Sequence, residues 1–195
     1  MLEICFATNN QHKIKEVQAL LPLSIKLLSL EEIGCLQELP ETQNTIEGNS
    51  RQKAEFVFNN YKLNCFADDT GLEVQALKGK PGVLSSRYAG IPANPEKNIQ
   101  KLLQELRNEV NRKARFKTVV TLLLNRNSKQ FEGILNGKII DNLRGDNGFG
   151  YDPVFLPAGF EITLGEMDSS LKNKVSHRGI AIGKLISFLS NIFPS

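Results

Sequence analysis

Short apolar runs ending in polar turns alternate along this chain with segments of helical periodicity, and this alternation restricts it to a sheet covered by helices. Leu2 to Ala7 is apolar and reads as a buried strand. Thr8 to Lys13 is a polar turn; Ile14, Val17, Leu20 and Leu21 then share a helical face until Pro22 ends it. Ser24 to Leu30 reads as a second strand and Gly34 to Thr45 as a loop. A second helix is predicted from Ile46 to Tyr61, with Ala54, Val57, Phe58 and Tyr61 at helical spacing. Cys65-Phe66-Ala67 reads as a strand stopping at the turn Asp68-Asp69-Thr70-Gly71, with Leu72 to Leu77 extended beyond it. Ile99, Leu102, Leu103, Leu106 and Val110 predict a third helix. Thr118 to Leu124, Phe131 to Leu135 and Gly137 to Ile140 form a strand block, the last two as antiparallel neighbours. Ala158 to Met167 holds a short strand, and a last helix starts near Arg178. The expected fold class is α/β, a mixed β-sheet flanked by helices. Neither repeats nor clean linkers divide it, so residues 1–195 are taken as a single domain.

Composition narrows the function. A hydrophobic share of 41% and a charged share of 23% are those of an ordinary globular protein. The net charge of +3 is too mild to argue for nucleic acid and suits a polyanionic small substrate. Cys5, Cys35 and Cys65 are odd in number and lack a CxxC pairing, which supports neither a disulfide framework nor a zinc site. Three reduced thiols suit a reducing cytoplasm. The first apolar stretch is too short for a signal peptide, and no run approaches membrane-spanning length. A cytoplasmic protein with neither a membrane nor a nucleic-acid partner is expected.

Five segments carry chemistry. Thr8-Asn9-Asn10-Gln11-His12-Lys13 opens a helix, where backbone N–H groups attract anions and Lys13 adds charge; a plain N-cap is the structural alternative. Asp68 and Asp69 repel one another unless a cation or donors offset them, and hard oxygen ligands of this kind suit Mg²⁺; the alternative is an Asx turn. Glu41 can share such a metal with Asp69, and Lys53 can reach a phosphate, although both residue types are most often solvated charge. In Gly148-Phe149-Gly150-Tyr151-Asp152-Pro153 the glycines permit close backbone approach and Phe149 can stack on a base; a tight hairpin turn is the alternative. Lys172 to Arg178, with His177 inside it, forms a cationic approach to the last helix.

These segments together resemble the inosine/xanthosine triphosphate pyrophosphatase family, house-cleaning enzymes that remove deaminated purine nucleotides. The matching pieces run in family order from residue 7 to residue 179. They are Ala7-Thr8-Asn9-Asn10 with Lys13 and Glu16, Glu41-Thr42, Asn49 with Lys53-Ala54, Ala67 to Leu72, Pro81-Gly82, Ser86 to Gly90, Gly148 to Pro153, and Lys172 with Ser176 to Gly179. The resemblance implies an elongated mixed sheet, two lobes with an active-site cleft between them, and a Mg²⁺-dependent homodimer. It implies hydrolysis of ITP, dITP and XTP to the monophosphate and pyrophosphate. It assigns phosphate contacts to Thr8, Asn10 and Lys13, within a substrate-binding turn that includes Asn9, Gln11 and His12, and a further one to Lys53. Glu41 and Asp69 would hold Mg²⁺, and Asp69 would accept the proton of the attacking water. Thr70 would touch substrate, and Phe149, Gly150, Tyr151, Asp152, Lys172, His177 and Arg178 would surround the base.

Three positions depart from the family. Asn9 replaces a usual Gly, and Asn tolerates left-handed backbone. Gly48 replaces a Glu that would complete a capping box with Thr45. Thr70 replaces Ser and keeps the hydroxyl. Two other readings compete: a nucleotide pyrophosphatase for another modified base, and a non-catalytic nucleotide- or RNA-binding module using the basic segment Arg107 to Lys117.

Overall fold

Side chains alternate between the two faces of a strand, so each face of a sheet must find its own helices. A computed structural model describes residues 2–193. Among them are strands β1 (Leu2–Phe6), β2 (Ile25–Leu28), β3 (Cys65–Val74), β4 (Pro81–Gly82), β5 (Lys113–Leu124), β6 (Asn127–Ile139) and β7 (Phe155–Pro157). The helices are α1 (Gln11–Gln18), α2 (Ile46–Tyr61), α3 (Pro95–Glu105), α4 (Ser169–Val175) and α5 (His177–Ile192). The seven strands form one sheet in the order β2-β1-β3-β5-β6-β7, with β4 beside β3. It is mixed: β1 is parallel to β2 and β3, whereas β4 and β7 run antiparallel to β3 and β6.

The chain divides into two compact units. The first comprises Met1–Asp69, Thr118–Gly133 and Arg178–Ser195. On one face of its strands Ile4, Phe6, Phe66 and Leu122 pack with Val17 of α1 and Ile182 and Leu185 of α5. The Phe6 and Phe66 rings stack 4.6 Å apart across paired strands. On the other face Cys5, Ala7, Cys65 and Ala67 pack with Ala54 and Val57 of α2. Buried hydroxyls also key α2 to the sheet. Ser50 Oγ donates to the Ala67 carbonyl at 3.0 Å and shares a 2.8 Å hydrogen bond with Thr121 Oγ1. Gln130 Nε2 donates to Thr121 Oγ1 at 2.9 Å and to the Glu47 carbonyl at 3.0 Å.

The second unit comprises Thr70–Lys117 and Ile134–His177. Its core gathers Leu72, Val74, Phe116, Ile139 and Phe155 with Ile99 and Leu102 of α3. The basic segment is partly neutralised here: Arg112 pairs with Asp141 and Arg115 with Glu73.

Helix α2 matches its expected bounds. Other elements differ for identifiable reasons. The expected turn at Asp68 to Gly71 is absent, because β3 runs unbroken through both carboxylates. The two runs Phe131 to Leu135 and Gly137 to Ile140 are one strand. Gly137 marks the approach of β7, where an added Cβ would lie 2.4 Å from the Leu156 carbonyl, and not a break. Strand β5 joins β6 through Asn125 and Arg126, both at positive φ, as in a two-residue type I′ hairpin. The short strand expected in Ala158 to Met167 lies just upstream, in β7. Val110 lies beyond α3 and is 98% exposed, so it belongs to no helical face. No helix among the described residues is long and apolar enough to cross a membrane.

All three cysteines are free and buried. Burial pushes the Cys5 and Cys65 thiols up to about 12. Because the thiolate is the reactive species, both should resist an aromatic disulfide reagent at pH ~8 until the protein unfolds. Stopped-flow labelling with and without denaturant checks this; fast labelling of either thiol in the native protein would contradict it.

Candidate active site

Adjacent residues of a strand point to opposite faces, and β3 uses this to separate its two carboxylates. Asp68 faces α1 and α5. Its Oδ1 accepts from Lys13 Nζ at 2.8 Å and its Oδ2 from Arg178 Nε at 3.2 Å. Arg178 Nη1 also pairs with Glu16. The side chains of Asp68 and Arg178 are 0% and 2% exposed, so this is a buried network of two acids and two cations. Burial would raise the Asp68 carboxyl, but Lys13, Arg178 and Lys53 outweigh it and hold the group well below the usual carboxylate range. Burial pushes Lys13 down, with Lys53 and Arg178 adding to the effect against the pull of Asp68.

Asp69 faces α2. Lys53 Nζ lies 3.3 Å from its Oδ1 and 2.5 Å from Glu41 Oε1, so a single ammonium bridges two carboxylates. Asn49 Nδ2 donates to Asp69 Oδ2 at 3.3 Å. The charge balance here differs from that on the other face. Burial pushes the Asp69 carboxyl above its ordinary value, and Glu41 and Asp68 add to this against Lys53 and Lys13. Burial would lower Lys53, but Asp69 and Glu41 raise it. One ammonium facing two carboxylates leaves this side of the strand with an excess of negative charge.

The Thr8 to Lys13 turn is built as a cap. Asn10 is the N-cap of α1, and its Oδ1 accepts from the His12 and Lys13 amides at 3.0 and 3.2 Å. Thr8 Oγ1 accepts from the Asn10 amide at 3.2 Å. The cap uses oxygen lone pairs, so the Thr8 O–H and the Asn10 side-chain Nδ2–H groups retain donor capacity. Asn9, Gln11 and His12 are exposed on the turn. Asn9 does not take positive φ, so its tolerance of left-handed backbone is not used.

In the second unit Gly148 and Gly150 both take positive φ. Gly148 is doubly required, because an added Cβ would lie 2.2 Å from Asp152 Oδ2. That oxygen accepts from the Phe149 amide and from Lys172 Nζ, each at 2.8 Å. The same ammonium lies 4.9 Å from the Phe149 ring centroid. Tyr151 is buried and its hydroxyl donates to the Ser85 carbonyl at 2.9 Å. His177, at the start of α5, stacks on Phe116 at 4.5 Å.

The expected site residues therefore gather in three groups: Lys13 and Arg178 on Asp68; Lys53, Glu41 and Asp69; and Phe149, Asp152 and Lys172. Thr70 follows Asp69 on β3. Sequence reasoning missed Phe116 beneath His177, and it named Asn49 and Glu16 among the matching pieces without giving either a role. For Asn49 the available signal was its place on the same helical face as Lys53 and Ala54.

The family model of the Ham1 family matches residues 4–188. The chain belongs to the Ham1 family. Its curated relatives include the dITP/XTP pyrophosphatase of Flavobacterium psychrophilum, 50% identical over 97% of this chain and 100% of the relative. That of Porphyromonas gingivalis is 47% identical over 97% and 98%. Among solved structures, a HAM1 protein from Coxiella burnetii superimposes with a TM-score of 0.91 at 38% identity, covering 98% of this chain and 100% of the other. The Staphylococcus aureus Ham1 protein gives 0.90 at 37% identity, covering 97% and 99%.

In this Ham1 chain the two neighbouring aspartates should respond oppositely to the same substitution. Asp68→Asn leaves two buried cations short of a partner and should cost about 3–5 kcal/mol. Asp69→Asn relieves a buried excess of negative charge and should be neutral or stabilising. Urea unfolding of both variants without metal or nucleotide measures this; equal losses would refute the charge assignment.

Proposed function

We propose that this chain hydrolyses deaminated purine nucleoside triphosphates, ITP, dITP and XTP, to the monophosphate and pyrophosphate with Mg²⁺. The observation that carries this reading is buried Asp69 and half-buried Glu41 sharing a single ammonium, two acids to one cation, in a chain that shares half its residues with dITP/XTP pyrophosphatases. Residues 1–195 act as a single catalytic domain. On the family resemblance it works as a homodimer, and its free buried thiols suit the cytoplasm.

The donor set fits the metal. Among the described residues no three His, Cys, Asp or Glu converge into a closed cage. Mg²⁺ does not need one, since it commonly binds one or two carboxylates and completes its shell with water and phosphate oxygens. Glu41 and Asp69 would hold it, and bound there it would supply charge neutralisation on the phosphates.

The protein's own groups do the rest. Water attacks the α-phosphorus, the bond from that phosphorus to the α,β-bridging oxygen breaks, and pyrophosphate leaves. Asp69 takes the proton of the attacking water. Lys13 and Lys53, with donors from Thr8 and Asn10, orient the triphosphate and offset charge on the leaving group. In the second unit Phe149 offers a face for the purine, and Asp152 holds Lys172 beside that ring. A site that donates to a 6-oxo group leaves donors facing donors when adenine enters.

Pyrophosphate release from ITP, dITP, XTP and ATP should be Mg²⁺-dependent, abolished by EDTA, and at least about 100-fold slower for ATP. Asp69→Asn should lose on the order of 10³-fold in turnover. Equal rates on ATP would overturn the base assignment, and near-normal turnover of Asp69→Asn would overturn its role as proton acceptor.

A further inference from the structure

Glu41 lies in a segment, residues 38–43, that has no regular secondary structure, yet it must hold a carboxylate against Lys53 and Asp69. The first two turns of α2 grip the residues that follow it. The Gln52 side chain clamps Thr42 from both sides: its Oε1 accepts from the Thr42 amide at 2.9 Å, and its Nε2 donates to Thr42 Oγ1 at 2.8 Å. Asn49 Oδ1 accepts from the Gln43 amide at 2.9 Å, while its Nδ2 donates to Asp69. One amide thus ties the Glu41 segment to the strand that carries the second carboxylate. Gly48 supplies the seat. A Cβ there would lie 2.7 Å from Gln43 Cβ and 2.9 Å from Thr45 Oγ1, so any side chain would push the segment off the helix.

We propose that Gln52, Asn49 and Gly48 form a dock on α2 that positions Glu41 for a divalent cation, with Gln52 as its principal positioning residue. This rests on the assignment of Glu41 and Asp69 to Mg²⁺. It also accounts for Gly48 standing where the resembled family carries a capping Glu. Thr45 still caps the helix by accepting from the Gly48 amide at 3.0 Å, and the reciprocal cap gives way to direct seating of residues 42–43.

The test compares the wild-type protein with Gln52→Leu, Gly48→Ala, Glu41→Gln and the Gln52→Leu/Glu41→Gln double variant. Mn²⁺ binding by electron paramagnetic resonance, with and without ITP, is read beside the Mg²⁺ concentration for half-maximal ITP hydrolysis. Gln52→Leu should weaken Mn²⁺ binding and raise the Mg²⁺ requirement on the order of tenfold, as loss of an outer partner of a metal ligand does. The double variant should bind Mn²⁺ no worse than Glu41→Gln, because Gln52 acts through Glu41. Gly48→Ala should also weaken Mn²⁺ binding, because the added Cβ displaces residues 42–43, and in a Glu41→Gln background it should weaken binding no further, which a general loss of structure would not spare. Unchanged metal dependence in Gln52→Leu, or losses that multiply in the double variant, would overturn the dock while leaving Glu41 a ligand. Unchanged Mn²⁺ binding in Glu41→Gln would overturn the metal assignment itself, and the dock with it.

Discussion

The two-residue period of β3 is the constraint on which the site depends. Two carboxylates adjacent in sequence would repel one another on a turn, and the pleat of the strand turns them apart instead. Asp68 then meets helices α1 and α5 and receives a cation from each; Asp69 meets α2 and shares one cation with Glu41. The first set balances two acids against two cations. The second is short of positive charge, and suits receiving it. Division of labour between neighbours follows from backbone geometry alone.

Much of this was legible in the sequence because apolar periodicity reports directly on burial. Helix α2 could be bounded to the residue, since Thr45 is a good cap and the loops on both sides are polar. Strand β3 could not. A run of Asp-Asp-Thr-Gly has the composition of a turn, and only the partners arriving from distant segments, Lys13, Lys53 and Arg178, make a buried strand possible there. Local composition cannot reveal compensation that arrives from 16, 55 and 110 residues away. Gly137 misled in the same way, because the reason for glycine is the passage of β7 and not a bend in its own strand.

The candidate site was legible as residue types but not as pairings. Asp152, Lys172 and Phe149 were all named from the sequence, yet nothing in it tells that one Asp152 oxygen takes both the Phe149 amide and the Lys172 ammonium. Tyr151 could be named but not oriented; its hydroxyl turns inward to Ser85. Gln52 escaped notice and Asn49 was named without a role, because amides on a helix carry no charge signature, although their hydrogen bonds hold the Glu41 segment in place.

The hydroxyls of Ser50 and Thr121 and the side-chain amide of Gln130 fasten the inner side of α2 to the sheet, whereas Arg51, Glu55 and Asn59 on its outer side face solvent. The helix is therefore frozen on one side and unconstrained on the other. A spectroscopic label placed at Glu55 or Asn59 would ride on a rigid strut, sense the tumbling of its unit and not local wobble, and leave the carboxylates on the inner side undisturbed.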